Sequence, residues 1–211
     1  MAIYTKNNTN IMLVRIPKTG STSLNHSFLQ DKWSAVLTGG HKLPKWFFEK
    51  KHISIEMLDY IFVVLRDPVD RFISLYRMIQ SIKKYKLPKD IDINKFWNMC
   101  KIIEKNRNKG TPPNFFDHET TVKHYILPQT KWLPSIILNN SKTNLFFYDR
   151  KKFYEIYNKL NSILNSNLMY LHERDHLRFT IPNNLDILKQ NTIEEIKDFY
   201  KEDYSLIKNL F

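Results

Sequence analysis

A short segment near the amino terminus combines a lysine, a glycine and several hydroxyl side chains directly after an apolar run. It reads Arg-Ile-Pro-Lys-Thr-Gly-Ser-Thr-Ser-Leu at residues 15–24. A strand, a tight turn and a helix here would leave backbone amides unpaired at the helix start, where an anion is stabilised. Gly20 permits close approach of the backbone and Lys18 adds a positive charge. The pattern indicates a phosphate site; the alternative is an ordinary strand-to-helix turn with a serine-rich cap.

This segment differs from the loop that binds ATP and GTP. In that loop, GxxxxGK[ST], the lysine comes after the second glycine, whereas Lys18 precedes the one glycine of the segment. No aspartate stands out as a magnesium ligand. These differences argue against a nucleotide kinase, although a P-loop phosphotransferase stays open as an alternative.

A second strand-to-helix transition carries an arginine and a helical serine. Residues 60–65 form a continuous apolar run, typical of a strand buried on both faces, and Arg66 follows it. The next two residues, an aspartate and a proline, suit the N-cap and the first position of a helix predicted over 68–84. Ligands bind at the carboxyl ends of parallel strands. Arg66 and Ser74 are therefore candidates for a second phosphate; the alternative for Arg66 is a salt bridge with Asp70.

Together the two segments resemble those of sulfotransferases. RIPKTGSTSL is similar to their 5′-phosphosulfate loop, and LRDPVDRFISLY is similar to their 3′-phosphate motif. The resemblance is greatest to carbohydrate O-sulfotransferases, particularly the heparan sulfate and uronyl 2-O-sulfotransferases. It implies an α/β, P-loop-like three-layer fold with a central parallel sheet flanked by helices. It also implies an enzyme that moves a sulfonate from 3′-phosphoadenosine 5′-phosphosulfate (PAPS) to a hydroxyl of a saccharide or polysaccharide.

The resemblance implies roles for residues of both segments. Lys18 would neutralise charge on the departing phosphate oxygen, and Arg15 matches a family arginine near the transferred group. Arg66 and Ser74 would hold the 3′-phosphate. No metal is required, because fixed cations already hold the leaving phosphate. The residues expected to hold the 5′-phosphosulfate, besides Lys18, are Thr19, Gly20, Ser21, Thr22 and Ser23.

Two further stretches resemble family segments. Thr-Gly-Gly-His, ending at His41, lies at about the distance of the family's Gly-His from the second motif. Histidine titrates near neutral pH and is the usual base for removing a hydroxyl proton, so His41 is the predicted catalytic base; the alternative is a turn histidine on the surface. A late His-Leu-Arg-Phe-Thr stretch is similar to the loop that closes over the nucleotide, which implies contacts from Arg178 and Thr180.

Composition fits one enzyme domain with anionic ligands. The 211 residues suit a single sulfotransferase domain over 1–211, and 42% hydrophobic residues suffice for a core. A formal net charge of +12 favours a phosphorylated nucleotide and an acidic polysaccharide as partners; no nucleic acid is expected. The one cysteine, Cys100, excludes an internal disulfide. The histidines show no close metal-ligand spacing beyond His172 and His176, which are assigned a structural or loop role.

The elements that must position these residues alternate between strand and helix, which implies a parallel sheet with right-handed crossovers. No strand or helix is predicted for residues 1–10. Residues 85–116, the least regular part of the chain, are expected to bind the acceptor. The strands are predicted over 11–16, 35–37, 60–66 and 144–148, and the helices over 21–32, 68–84, 94–105, 119–126 and 151–164. A last helix is predicted from a capping box at Thr192 toward Leu210.

Two alternatives to sulfonate transfer stay open from the sequence alone. One is the P-loop phosphotransferase; the other is a non-enzymatic protein that binds anionic polymers, which the net charge also allows. The sequence shows neither a signal peptide nor a stretch long enough to span a bilayer. We therefore expect a cytoplasmic location if the chain is complete, and the Golgi lumen if it is the catalytic domain of an anchored enzyme. No oligomeric state is predicted.

Overall fold

The chain folds into two compact units. The first comprises Met1–Arg66, Gln129–Glu173 and Ser205–Phe211, and the second comprises Asp67–Pro128 and Arg174–Tyr204. This computed structural model describes residues 1–41, 43, 47–49, 51–81, 91–107, 119–139, 144–170 and 187–211. The single domain over residues 1–211 stays a prediction from the sequence.

The first unit contains a five-stranded mixed sheet in the order β3-β1-β2-β4-β5. The strands are β1 (Ala2–Lys6), β2 (Thr9–Val14), β3 (Ser34–Thr38), β4 (Tyr60–Leu65) and β5 (Asn144–Asp149). β2, β4 and β5 pair in parallel, while β1 pairs antiparallel with both β2 and β3. The four predicted strands therefore run in one direction, and the predicted α/β architecture is confirmed.

Strand β1 corrects the wholly parallel sheet expected from the sequence. It is joined to β2 by a two-residue turn, because Lys6 pairs with Thr9. Both turn residues, Asn7 and Asn8, have left-handed backbones, with φ of 50° and 62°. Asparagine tolerates this conformation, and two such residues form the hairpin turn whose twist matches that of the strands. The hairpin inserts an antiparallel strand between two strands of the parallel set.

In the described ranges, eight α-helices and three 3₁₀ turns have assigned bounds, and residues 47–49 are also helical. The helices are α1 (Ser21–Gln30), α2 (Pro68–Ser81), α3 (Ile93–Lys105), α4 (Glu119–Tyr125), α5 (Ser135–Leu138), α6 (Phe153–Leu164), α7 (Gln190–Phe199) and α8 (Lys201–Leu210). The 3₁₀ turns are Ile55–Met57, Gln129–Trp132 and Arg150–Lys152. None of the helices in the described ranges is long and apolar enough to cross a membrane.

Both faces of the sheet are covered, which gives the first unit three layers. Alternate residues of β2 and β4, such as Leu13 and Phe62, pack under α1 and α6. The intervening residues, such as Val63, pack on the opposite face against Trp132 and Ile137. Strands buried on both faces explain why the sequence of β4 is uniformly apolar.

The second unit has its own aromatic core. Phe72 of α2 packs against Phe96 and Trp97 of α3, with ring centroids 5.7 and 5.2 Å away. Helix α2 begins as predicted, because the Asp67 carboxylate accepts a hydrogen bond from the Asp70 amide at 3.0 Å. The second unit therefore fixes the start of the helix that carries the predicted serine.

The carboxyl-terminal helix differs from its prediction. Two helices, α7 and α8, replace the single one, and α7 begins at Gln190 without a side-chain cap. Thr192 lies inside α7 and is buried rather than capping it. Tyr200 stands at the break, and its buried hydroxyl donates to the Ile126 carbonyl at 2.7 Å. This tertiary contact, which local sequence cannot reveal, coincides with the end of α7.

Replacing Asn8 by glycine should stabilise the protein, because glycine adopts φ of 62° without a Cβ penalty. We expect the free energy of unfolding in urea to rise by about 0.5 kcal/mol, because relief of the left-handed strain exceeds the extra entropy that glycine gives the unfolded chain. Asn10→Gly is the control, since Asn10 pairs with Thr5 inside β2 and glycine there should cost about 0.5–1 kcal/mol. Equal destabilisation by both substitutions would contradict the hairpin.

Candidate active site

An arginine directly follows each of the three parallel strands. Arg15 follows β2, Arg66 follows β4 and Arg150 follows β5. β4 and β5 end in register, because Leu65 pairs with Asp149, whereas β2 ends two residues earlier, because its last residue, Val14, pairs with Val63. Parallel strands open their carboxyl ends on one edge of the sheet, where α/β proteins bind ligands. The first unit thus presents three cations along one edge.

The loop between β2 and α1 is shaped by its own hydroxyl side chains. Thr19 and Ser21 are buried, and both donate to the Ile16 carbonyl, at 3.0 and 3.2 Å. Gly20 is the N-cap of α1, with φ of 92° and no side-chain hydrogen bond to the helix start. Gly20 supplies no side-chain acceptor, and the Ser23 amide donates to the Gly20 carbonyl at 3.1 Å. The start of α1 therefore suits an anionic ligand, because no capping side chain at Gly20 competes for its amides. Thr22 and Ser23, both half-buried, lie in this first turn.

The structure brings together the two segments that the sequence singled out. The Arg66 guanidinium donates from Nη1 to the Lys18 carbonyl at 3.1 Å. Lys18 has a left-handed backbone, with φ of 68°, which is uncommon for a residue with a side chain. Such conformations cost about 1–3 kcal/mol and cluster at functional sites. The bond from Arg66 helps to hold the loop in this conformation.

A buried glutamine holds the backbone of Arg66. Gln129 Oε1 accepts from the Arg66 amide at 3.0 Å, and Gln129 Nε2 donates to the Arg66 carbonyl at 2.7 Å. Gln129 is fully buried, so the pair of bonds fixes where the arginine leaves β4. No local pattern in the sequence reveals this role, because the two partners lie 63 residues apart.

His41 lies against the start of the loop. Its Nδ1 is 2.8 Å from the carbonyl oxygen of Arg15. A carbonyl only accepts hydrogen bonds, so Nδ1 carries the proton and, in the neutral ring, Nε2 carries the lone pair. This is the tautomer that a general base with Nε2 as acceptor requires.

The Arg15 side chain belongs to a partly buried polar group. The Tyr4 hydroxyl donates to Asn25 Oδ1 of α1 at 2.6 Å. Burial raises the pKa of the Tyr4 phenol, and the nearby Arg15 guanidinium partly offsets that rise. The Arg15 carbonyl therefore accepts a hydrogen bond from His41, and the charge of its guanidinium acts on the Tyr4 phenol.

Arg150 is a site residue that the sequence reasoning missed. A Cβ built on Gly20 would lie 2.8 Å from Arg150 Nε and 3.0 Å from Phe153 Cε2. Burial raises the pKa of the nearby Tyr157 to about 12, and the Arg150 charge opposes part of that rise. A single arginine after a strand carries no motif, so only the parallel register of β4 and β5 reveals its position.

The other predicted residues are placed differently. Ser74 lies on α2 in the second unit and is half-buried. Arg178 and Thr180 lie outside the described residues, as do His172 and His176. Within the described ranges, no group of His, Cys, Asp and Glu residues is arranged to hold a metal ion.

The profile of the Sulfotransferase family matches residues 1–208, which is nearly the whole chain. The chain therefore belongs to the sulfotransferase family and is a PAPS-dependent sulfotransferase with the P-loop-like α/β fold that the resemblance implied. No curated protein and no solved structure shows a significant match. Family membership favours sulfonate transfer over the phosphotransferase and the non-enzymatic alternatives.

Gly20→Ala should damage the site by strain and by collision. Alanine at φ of 92° costs about 1–2 kcal/mol, and its methyl group would press on Arg150 and Phe153. We expect a lower melting temperature and at least about tenfold weaker binding of adenosine 3′,5′-bisphosphate. Gly40→Ala is the control for stability, because Gly40 has φ of 55° but open space around it. Equal melting temperatures of the two variants would contradict the close packing at Gly20.

Gln129→Leu should destabilise the protein by about 2–4 kcal/mol, because it leaves a buried amide and a buried carbonyl of Arg66 without partners. Urea unfolding measures this cost. Gln30→Leu, at the exposed end of α1, is the matched control and should change stability by less than about 0.5 kcal/mol. Similar small effects from both variants would show that Gln129 does not hold Arg66.

Proposed function

We propose that this enzyme transfers the sulfonate of PAPS to a hydroxyl of a saccharide, with an acidic polysaccharide as the preferred acceptor and His41 as the base. The observation that carries this proposal is the bond from His41 Nδ1 to the Arg15 carbonyl. It sets the imidazole beside the phosphate loop in the tautomer that accepts a proton at Nε2.

The reaction needs positioning, charge neutralisation and one base. Nε2 of His41 takes the proton of the acceptor hydroxyl while the acceptor oxygen forms a bond to sulfur. The bond between sulfur and the bridging phosphate oxygen breaks, and the phosphate of adenosine 3′,5′-bisphosphate keeps that electron pair. Lys18 and the first amides of α1 stabilise the negative charge that develops on the departing oxygen.

The two ends of the donor are assigned to the two segments. The loop from Lys18 to Ser23 takes the 5′-phosphosulfate, and Arg66 takes the 3′-phosphate. The bond from Arg66 to the Lys18 carbonyl supports this division, because it brings the two cationic segments of the first unit together. The resemblance alone assigns Ser74, Arg178 and Thr180 to the nucleotide, and these three assignments stay predictions.

The acceptor assignment rests on charge and resemblance. The formal net charge of +12 attracts acidic chains and raises their association rate at low salt. The segments that match the family are most similar to those of carbohydrate O-sulfotransferases. An already acidic glycan satisfies both observations, whereas a neutral small sugar satisfies only the second.

His41→Ala should lower kcat by about 10²–10⁴-fold while binding of adenosine 3′,5′-bisphosphate stays unchanged. The measurement is transfer of radioactive sulfonate from PAPS to heparosan and to chondroitin at several pH values. The native enzyme should lose rate on the acid side as the imidazole becomes protonated, and this loss should disappear in the variant. His26→Ala, an exposed histidine of α1, is the matched control. Equal activity of both variants would contradict the role of His41 as the base.

Donor identity can be tested separately from catalysis. PAPS and adenosine 3′,5′-bisphosphate should raise the melting temperature of the native enzyme, and ATP with Mg²⁺ should raise it much less. Lys18→Ala should reduce the rise with either nucleotide, because it removes the charge on the loop. A larger rise with ATP and Mg²⁺ would contradict the proposed function and favour phosphoryl transfer.

A further inference from the structure

The sequence motifs do not include Arg150, yet its side chain lies against the phosphate loop. A Cβ built on Gly20 would meet Arg150 Nε at 2.8 Å and Cδ at 3.1 Å. Gly20 is the N-cap of α1, which is the positive end of the helix dipole. The fold thus places a full positive charge beside backbone amides that are already electropositive.

Aromatic packing holds Arg150 in place. Its Cζ lies 4.0 Å from the centre of the Phe153 ring. That ring is 3% exposed and packs edge-on against Tyr157 and Tyr170, with centroids 5.4 and 5.2 Å away. The ring against which Arg150 packs is therefore rigid, and the Arg150 guanidinium is fixed before any ligand binds.

No carboxylate in the described part of the chain forms an ion pair with Arg150. A cation at the amino end of a helix is electrostatically unfavourable, because the helix dipole favours anions there. An anion bound between the guanidinium and the first amides of α1 would reverse the sign of this interaction. The arrangement is that of a site whose electrostatics are completed by its ligand.

We propose that Arg150 binds the 5′-phosphosulfate end of PAPS, as a second side-chain cation beside Lys18. This assignment rests on the proposed function and adds a residue to its donor site. When the sulfonate departs, the phosphate oxygen that held it gains negative charge. A fixed cation at that end stabilises the transition state more than the bound donor. Arg150 therefore contributes to donor affinity and to kcat.

Truncated nucleotides test which end of the donor Arg150 binds. Calorimetric titrations of native enzyme and Arg150→Ala would use adenosine 3′,5′-bisphosphate, adenosine 5′-phosphate and adenosine 3′-phosphate. We expect the variant to bind the first two roughly tenfold or more weakly, because a charge-assisted hydrogen bond is lost. Binding of adenosine 3′-phosphate should change by less than about twofold. Arg66→Ala should show the opposite selectivity.

Lys151→Ala is the matched control, because Lys151 is exposed in the same 3₁₀ turn and carries the same charge. It should leave all three affinities within about twofold of native. Arg150→Lys, which keeps the charge, should recover part of the lost affinity and guards against a misfolded alanine variant. Equal weakening of both monophosphates by Arg150→Ala would indicate a structural role and overturn the assignment, as would unchanged affinity for the bisphosphate. If native enzyme binds none of the three nucleotides, the proposed function itself fails.

Discussion

The site depends on side-chain donors that occupy the carbonyl oxygens of the phosphate loop. The Arg15 carbonyl accepts from His41, the Ile16 carbonyl accepts from Thr19 and Ser21, and the Lys18 carbonyl accepts from Arg66. An anion site requires donors and is weakened by unpaired acceptors. Because these carbonyls are already paired, they do not present unpaired acceptors to an anionic ligand. The same bonds also tie the histidine and an arginine to the loop, so one set of contacts shapes the site and assembles it.

The positive charge at the carboxyl edge of the sheet is a consequence of strand direction. Three adjacent parallel strands end on one side, and each is followed by an arginine. Like charges brought together destabilise a fold unless counter-ions or ligands intervene. Here each arginine is held differently: Arg15 near a buried phenol, Arg66 by Gln129 and the loop, and Arg150 by an aromatic ring. Such fixed, convergent cations suit a bisphosphorylated nucleotide, whose charge lies at both ends.

The sequence predicted what is encoded locally. The apolar run of β4, the aspartate cap of α2 and the glycine of the loop each specify structure within a few residues, and all three are found where expected. Strand β1 was missed although Asn7 and Asn8 form a recognisable hairpin turn, because the alternation in so short a strand is weak. Gln129 and Arg150 gain their meaning only from partners far along the chain. The break at Tyr200 likewise coincides with a buried contact to Ile126.

The sequence reveals residues that lie in short motifs, but it does not reveal Gln129 and Arg150, whose partners lie far along the chain. Lys18, Gly20 and His41 lie in short motifs, so their types and spacing are informative. Gln129 lies in a 3₁₀ turn and bonds to the backbone of Arg66, and Arg150 follows β5, whose parallel register with β4 sets its position. A sheet that brings strand ends together can thus place supporting residues at a site without any local pattern. In this protein the candidate site is therefore a property of the carboxyl edge of the sheet as a whole.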